Sequence, residues 1–238
     1  SLAPMLEKET GLPVLGYLPP MEQAAFQSRH LGLYTAEEIA DMSQRIDQLG
    51  QQAEKTLDLP GILALCQRPD RCYAKESVTA SKRARIAVAR DEAFCFCYAE
   101  TWDTLQDTGA QLTPFSPLHD TALPEHCGGV YLPGGYPELY AEALSQNVSM
   151  RTALQKAIQD GMPTVAECGG FLYLGQTLED PQKKIWPMVQ ALPGKGIRTE
   201  HLVRFGYAEM TAHEDTFLFR SGEKVPVHEF HYWDSTQN

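Results

Sequence analysis

Gly161-Met-Pro-Thr-Val-Ala-Glu-Cys168-Gly169-Gly170-Phe-Leu-Tyr-Leu-Gly175 is the stretch on which the reading of this chain turns. Residues 162–167 are mostly small and apolar, enter on Pro163, and read as a short buried strand. Phe171, Leu172 and Leu174 then open a helix-like pattern. A strand that reverses into a helix, with a nucleophile at the apex and small residues two positions to either side, is the nucleophile-elbow arrangement. Ala166 and Gly170 are the small flanks here, because bulk at either would clash at a strained apex. A cysteine at that apex sits at a helix N-terminus, where free N–H groups favour the thiolate. The N–H of Gly169 would face an oxyanion formed on a substrate attacked by the sulfur.

Upstream of the elbow the pattern is regular. Ile86–Ala89, 110–115 and 130–132 read as strands, and the last runs into Pro133-Gly134-Gly135-Tyr136-Pro137-Glu138. Phe94, Tyr98, Trp102 and Leu105 are spaced as one helix face closed by Gly109, which would place Cys95 and Cys97 in a helix as small buried residues. Helices over about 137–145 and 149–160 lead to the elbow strand. Strands alternating with helices predict an α/β fold with a mostly parallel, doubly wound sheet. Ligands of such sheets sit beyond the strand carboxyl ends, so Gly134-Gly135 and Cys168 are expected to face each other.

Downstream, 198–211, 215–220 and 225–233 read as β segments. In Val225-Pro-Val-His228-Glu229-Phe230-His231-Tyr232-Trp233, period-two alternation puts His228, Phe230 and Tyr232 on one face and Glu229, His231 and Trp233 on the other. Chemistry at Cys168 needs a base, and this strand offers two histidines on opposite faces. Alternation alone does not choose between them.

The first 75 residues have a different character. A weak helix over 2–9 precedes a short hydrophobic strand at 13–18, which cannot be stable alone and must join a sheet. Thr35-Ala-Glu-Glu38 is a capping box opening a helix with apolar positions at Ile39, Met42, Ile46, Leu49 and Ala53. A short helix follows around 60–67. Residues 68–83 are polar and unpatterned and read as a linker, which divides the chain into 1–75, an α/β remnant, and 80–238.

Composition narrows the function classes. The 238 residues carry a net charge of −11, which disfavours nucleic acid and anionic membrane surfaces as partners. No apolar run approaches the roughly 20 residues that span a bilayer. No basic-then-apolar leader opens the chain, and the six cysteines do not resemble a disulfide framework, so a reduced cytoplasm is the expected compartment. Neither Cys95-x-Cys97 nor His228-x-x-His231 has a zinc-site spacing, and no metal site is expected.

Together, Leu-Pro-Gly-Gly-Tyr-Pro-Glu (132–138), Ala-Glu-Cys-Gly-Gly (166–170), Arg-Phe-Gly-Tyr (204–207) and His-Glu-Phe-His-Tyr (228–232) resemble a known family. It is the class I-like, CobB/CobQ-type glutamine amidotransferase domain of the cobyrinic acid a,c-diamide synthases, which act in cobalamin (vitamin B12) biosynthesis. The likeness covers 80–238, and 1–75 look like the tail of the family's ATP-binding amidoligase domain. It implies glutamine hydrolysis that supplies ammonia for ATP-dependent amidation. It makes Cys168 the nucleophile, His231 the catalytic histidine, and the backbone N–H of Gly169 with one from Gly134-Gly135 the oxyanion hole. The third member stays open between Glu229, Asp234 and no acid, because Trp233 stands where many such enzymes carry one. No cofactor is expected in this portion, whereas ATP and Mg²⁺ are implied for the complete enzyme. No phosphate loop of the form G-x-x-x-x-G-K-[ST] occurs, so the chain is expected to be the C-terminal part of a longer protein. Glutamine, a corrinoid and a homodimeric copy are the partners so implied. The alternatives are a related tetrapyrrole (hydrogenobyrinic acid or nickel sirohydrochlorin), a non-catalytic binding domain, and a stand-alone cysteine hydrolase.

Overall fold

The computed structural model describes residues 2–29, 32–66 and 84–237, and the expected linker lies outside them. The chain divides into two compact units, Ser1–Lys75 and Glu76–Asn238. None of the helices described is long and apolar enough to cross a membrane.

In the first unit, α1 (Ala3–Thr10) carries Pro4 in its first turn and closes on Gly11, at φ 68°, whose N–H donates to the Glu7 carbonyl at 2.9 Å. The strand expected at 13–18 is reduced to a single bridge, Gly16 with Leu57. Gly16 adopts φ 119°, and a Cβ there would lie 2.1 Å from the Thr56 carbonyl oxygen. Close backbone approach at one glycine therefore replaces a ladder, and Pro13 has no N–H with which to extend it. A minimal hairpin, β1 (Ser28–Arg29) with β2 (Gly32–Leu33), follows. The Thr35–Glu38 capping box forms, yet it caps one 3₁₀ turn, Ala36–Glu38. The long helix α2 (Met42–Thr56) starts four residues later, and α3 (Leu59–Cys66) succeeds it.

The second unit is built on β3 (Arg85–Ala89), α4 (Ala99–Asp107), β4 (Gln111–Phe115), β5 (Gly129–Leu132), α5 (Ala141–Gln146), α6 (Val148–Gln159), β6 (Thr164–Ala166) and α7 (Gly169–Leu174). All pairings in its first sheet are parallel, in the order β4-β3-β5-β6. Winding starts at β3 and proceeds outward both ways, so right-handed crossovers distribute helices to both faces: the sheet is doubly wound. Ala87, Ala89, Val130 and Leu132 form the middle of a core completed by Leu144, Met150, Leu154 and Tyr173. A second sheet, order β10-β9-β7-β8, comprises β7 (Thr177–Glu179), β8 (Ile185–Pro187), β9 (Lys195–Thr211) and β10 (Lys224–Ser235). Leu178 of β7 and Trp233 of β10 enter the same core, and Trp233 Nε1 donates to the Glu179 carbonyl at 2.7 Å.

Three local expectations are revised. The helix expected from Phe94 begins only at Ala99, because Asp91 Oδ1 captures the N–H groups of Ala93 (2.9 Å) and Phe94 (3.1 Å) in a tight loop. Cys95 and Cys97 thus lie outside the helix and are only half-buried. Residues 215–220 form a turn around Thr216, whose Oγ1 accepts from the N–H groups of Leu218 and Phe219, rather than a strand. Strands β7 and β8, three residues each, are too short to show a period.

Candidate active site

The end of β6 delivers Cys168 to the N-cap of α7 at φ 48°, ψ −115°. Backbone geometry of that kind is strained for any residue bearing a Cβ and is held only by its surroundings. Those surroundings are specific. The Glu167 N–H donates to the Leu132 carbonyl at 3.0 Å, and the Gly170 N–H folds back onto the Glu167 carbonyl at 2.8 Å. A Cβ on Gly170 would stand 2.2 Å from the Leu132 carbonyl oxygen, so glycine is what allows α7 to approach β5.

A chain of contacts sets the loop opposite. Asp91, buried at the carboxyl end of β3, accepts from Ala93 and Phe94, and its other oxygen accepts from Ser116 Oγ (2.7 Å) and the Leu118 N–H (3.0 Å). The loop so fixed presents the Ala93 carbonyl to the Tyr136 N–H (2.9 Å), while the Phe96 N–H donates to the Gly134 carbonyl (3.0 Å). A Cβ on Gly135 would fall 2.1 Å from the Ala93 carbonyl oxygen. Gly134 packs so closely on the apex that a Cβ there would be 3.2 Å from Cys168 Cβ and 3.6 Å from its sulfur. Cys168, Gly134, Gly135 and Gly169 are therefore brought together.

The thiol keeps an exposed face, yet the protein packed around its sulfur pushes its pKa above the ordinary thiol value. The N–H groups of Gly169 and Gly135 oppose that rise by hydrogen bonding to the sulfur, whereas the carboxylates of Glu138 and Glu167 add to it. Two backbone donors from separate elements thus converge on the Cys168 sulfur, an arrangement able to stabilise an oxyanion formed there. The resting thiol is protonated at neutral pH, so chemistry here needs a proton acceptor.

Alternation along β10 is visible in burial: 225, 227, 229, 231 and 233 turn inward, while 224, 226, 228 and 230 are exposed. His231 Nε2 lies 3.5 Å from Glu229 Oε2, and its Nδ1 is buried with no hydrogen-bond partner among the described residues. Asp234 instead faces Arg204, with Oδ1 to Nε at 3.5 Å. His228 sits on the outer face amid Phe205, Tyr207 and Phe230, with ring centroids 5.9, 4.9 and 5.7 Å away. Glu229 and His231 thus form a second group, and no hydrogen bond or ion pair among the described residues joins it to Cys168.

Three residues of this neighbourhood are absent from the sequence-based set. Tyr131 donates its hydroxyl to Glu167 Oε2 at 2.7 Å, and burial together with that carboxylate pushes the phenol's pKa up. Glu138 is 4% exposed and is one of the two carboxylates that raise the Cys168 thiol's pKa. Tyr131 and Glu167 could have been found from their places at adjoining strand ends, but nothing in the sequence pattern signals the burial of Glu138.

A doubly wound sheet bearing a strained cysteine elbow with two backbone N–H donors beside the sulfur defines the class of α/β domains built around a nucleophile elbow. Residues 85–238 match the CobB/CobQ-like glutamine amidotransferase domain, and the chain belongs to that family. It is 42% identical over 233 residues to a cobyrinate a,c-diamide synthase of Dehalococcoides mccartyi, covering 95% of this chain and 50% of that protein. The Salmonella typhimurium enzyme of the same name is 42% identical over 240 residues (96% and 50%). That of Caldanaerobacter subterraneus subsp. tengcongensis is 38% identical over 232 residues (97% and 51%). The chain spans about half the length of these curated relatives.

Proposed function

We propose that the Glu76–Asn238 unit hydrolyses glutamine to glutamate and ammonia. In the whole protein, that ammonia would amidate the a and c side-chain carboxylates of a cobyrinate-type corrinoid. The observation that carries the glutaminase half is the convergence of the Gly135 and Gly169 N–H groups on Cys168 at its strained apex. The corrinoid half is supported by the shared name of the relatives, cobyrinate a,c-diamide synthase.

In this mechanism the Cys168 thiol gives its proton to His231 as the sulfur attacks the side-chain amide carbon of glutamine. The tetrahedral oxyanion accepts from the Gly135 and Gly169 N–H groups, which already point at the sulfur. His231 then protonates the departing nitrogen, the C–N bond breaks, and ammonia leaves a γ-glutamyl thioester. Water, activated by the same imidazole, adds to the thioester. The C–S bond breaks, releasing glutamate and restoring the thiol. Glu229, 3.5 Å from His231 Nε2, is the acid that would orient the ring. In this reading Ser1–Lys75 is the end of an ATP-binding domain, and ATP with Mg²⁺ acts in the other half of the whole protein. The sequence contains no phosphate-binding glycine loop, so none of these steps runs through them. The cytoplasm is the compartment this chemistry implies.

The diazoketone analogue of glutamine tests the reading on this chain directly. Mass spectrometry should place a single adduct on Cys168, where thiol alkylation releases dinitrogen. An adduct on Cys95 or Cys127 in its place overturns it.

A further inference from the structure

Asp91 stands just past the carboxyl end of β3, and Gly134 and Gly135 just past that of β5, its parallel neighbour in the sheet. Four donors converge on this one buried carboxylate: the N–H groups of Ala93 and Phe94 on Oδ1, and Ser116 Oγ with the Leu118 N–H on Oδ2. A carboxylate so surrounded sets the shape of residues 91–96, and that segment grips the glycine pair on both sides. The Phe96 N–H donates to the Gly134 carbonyl at 3.0 Å, and the Ala93 carbonyl accepts from the Tyr136 N–H at 2.9 Å. The Phe96 ring closes over the same place, edge-on to Tyr136 with centroids 5.0 Å apart, and a Cβ on Gly134 would meet it at 3.3 Å.

The peptide group between the two glycines carries this grip to the site. Its carbonyl belongs to Gly134 and its N–H to Gly135. In a planar trans peptide the two point in opposite directions, so the hydrogen bond from Phe96 that fixes the carbonyl also aims the N–H away from residues 91–96. The elbow stands where that N–H is aimed. The Gly135 nitrogen lies 3.3 Å from where a Cβ on Gly169 would sit, and a Cβ on Gly134 would be 3.6 Å from the Cys168 sulfur. A peptide between two glycines turns more freely than any other, so it is preorganised as a donor only if something outside it holds its plane.

Building on the glutaminase reading, we infer that Phe96 is a positioning residue for the oxyanion: its N–H, held in place by Asp91, keeps the Gly134–Gly135 peptide turned with its own N–H toward the reacting atoms. Neither residue touches substrate in this role. The Asp91 carboxylate matters here rather than its bulk. An amide in its place still offers one oxygen to the Ala93 and Phe94 N–H groups, but it sets a second donor against the Leu118 N–H.

The test compares the full chain with two variants. One is a backbone ester made by placing phenyllactic acid at position 96, which keeps the ring and deletes the Phe96 N–H; the other is Asp91→Asn. Each is read by glutamine turnover and by the pH profile of Cys168 alkylation with iodoacetamide, a displacement that forms no oxyanion. The ester should lose about 10²–10³-fold in kcat, the usual cost of one oxyanion donor, with KM little changed. Asp91→Asn, which loosens the same donor, should lose at least about tenfold. In both, the alkylation midpoint should move to higher pH because the thiolate loses an N–H partner, while the rate on the high-pH plateau holds. A merely structural role would lower kcat and that plateau together. Parallel falls of that kind, or an ester with the parent's kcat and midpoint, overturn the assignment, and the ester decides it where Asp91→Asn does not fold. A parent that is alkylated at Cys168 yet hydrolyses no glutamine overturns the glutaminase reading instead, and the midpoint of the ester still decides what holds the peptide.

Discussion

Replacing Cys168, the proposed nucleophile, by glycine should relieve backbone strain that replacement by alanine keeps. Cys168 occupies φ 48°, ψ −115°, a conformation that glycine adopts freely and that costs a residue with a Cβ about 1–3 kcal/mol. Glycine gives back roughly 0.5–1 kcal/mol of that through the greater freedom of the unfolded chain. The relevant reference is Cys168→Ala, which also removes the sulfur but keeps the Cβ and hence the strain. Relative to that variant, Cys168→Gly should be more stable by about 1 kcal/mol, or ~2–4 °C in melting temperature for a unit of this size. All three tryptophans, Trp102, Trp186 and Trp233, belong to the Glu76–Asn238 unit, so tryptophan fluorescence reports its unfolding selectively. Both variants should lose the Cys168 adduct and all glutamine hydrolysis. The strain argument fails if Cys168→Gly melts at or below Cys168→Ala.

Other expectations are sharper in activity than in stability. In the whole protein, His231→Ala should lose about 10²–10⁴-fold in glutamine turnover. His228→Ala, on the exposed aromatic face, should change both turnover and melting temperature little; the reverse pattern would exchange their roles. Gly170→Ala drives a methyl group to 2.2 Å from the Leu132 carbonyl oxygen, and backbone there must shift. The cost should be at least about 1–3 kcal/mol, read as a lower tryptophan melting temperature, with Cys168 labelling by the glutamine analogue slowed as well. A Gly170→Ala protein that melts and labels like the parent would mean that the elbow tolerates bulk.

What the sequence reveals about this fold follows the range of the interactions involved. The elbow is legible because it is local: Ala166, Cys168 and Gly170 fall within five residues, and the clash that fixes Gly170 is with the strand end that must lie beside it in any parallel sheet. Alternation on β10 is legible for the same reason, since the pleat alone sends His228 outward and His231 inward. Register is less so. Irregularities flank His231 in its pairing with β9, between Glu229 and His231 and again before Trp233, and no period-two count predicts them. The stretch at 13–18 fails as a strand because its partner is one residue, Leu57, and Phe94 leaves its expected helix because Asp91 captures its N–H. Glu138 is the extreme case. Its place in Leu-Pro-Gly-Gly-Tyr-Pro-Glu marks it only as polar and following a proline, which would suit a solvated turn equally well. Its burial comes from Pro137 closing on Gly169, a contact between residues 32 positions apart that exists only once the elbow has formed. The charge environment of the nucleophile is thus written by the fold rather than by the motif.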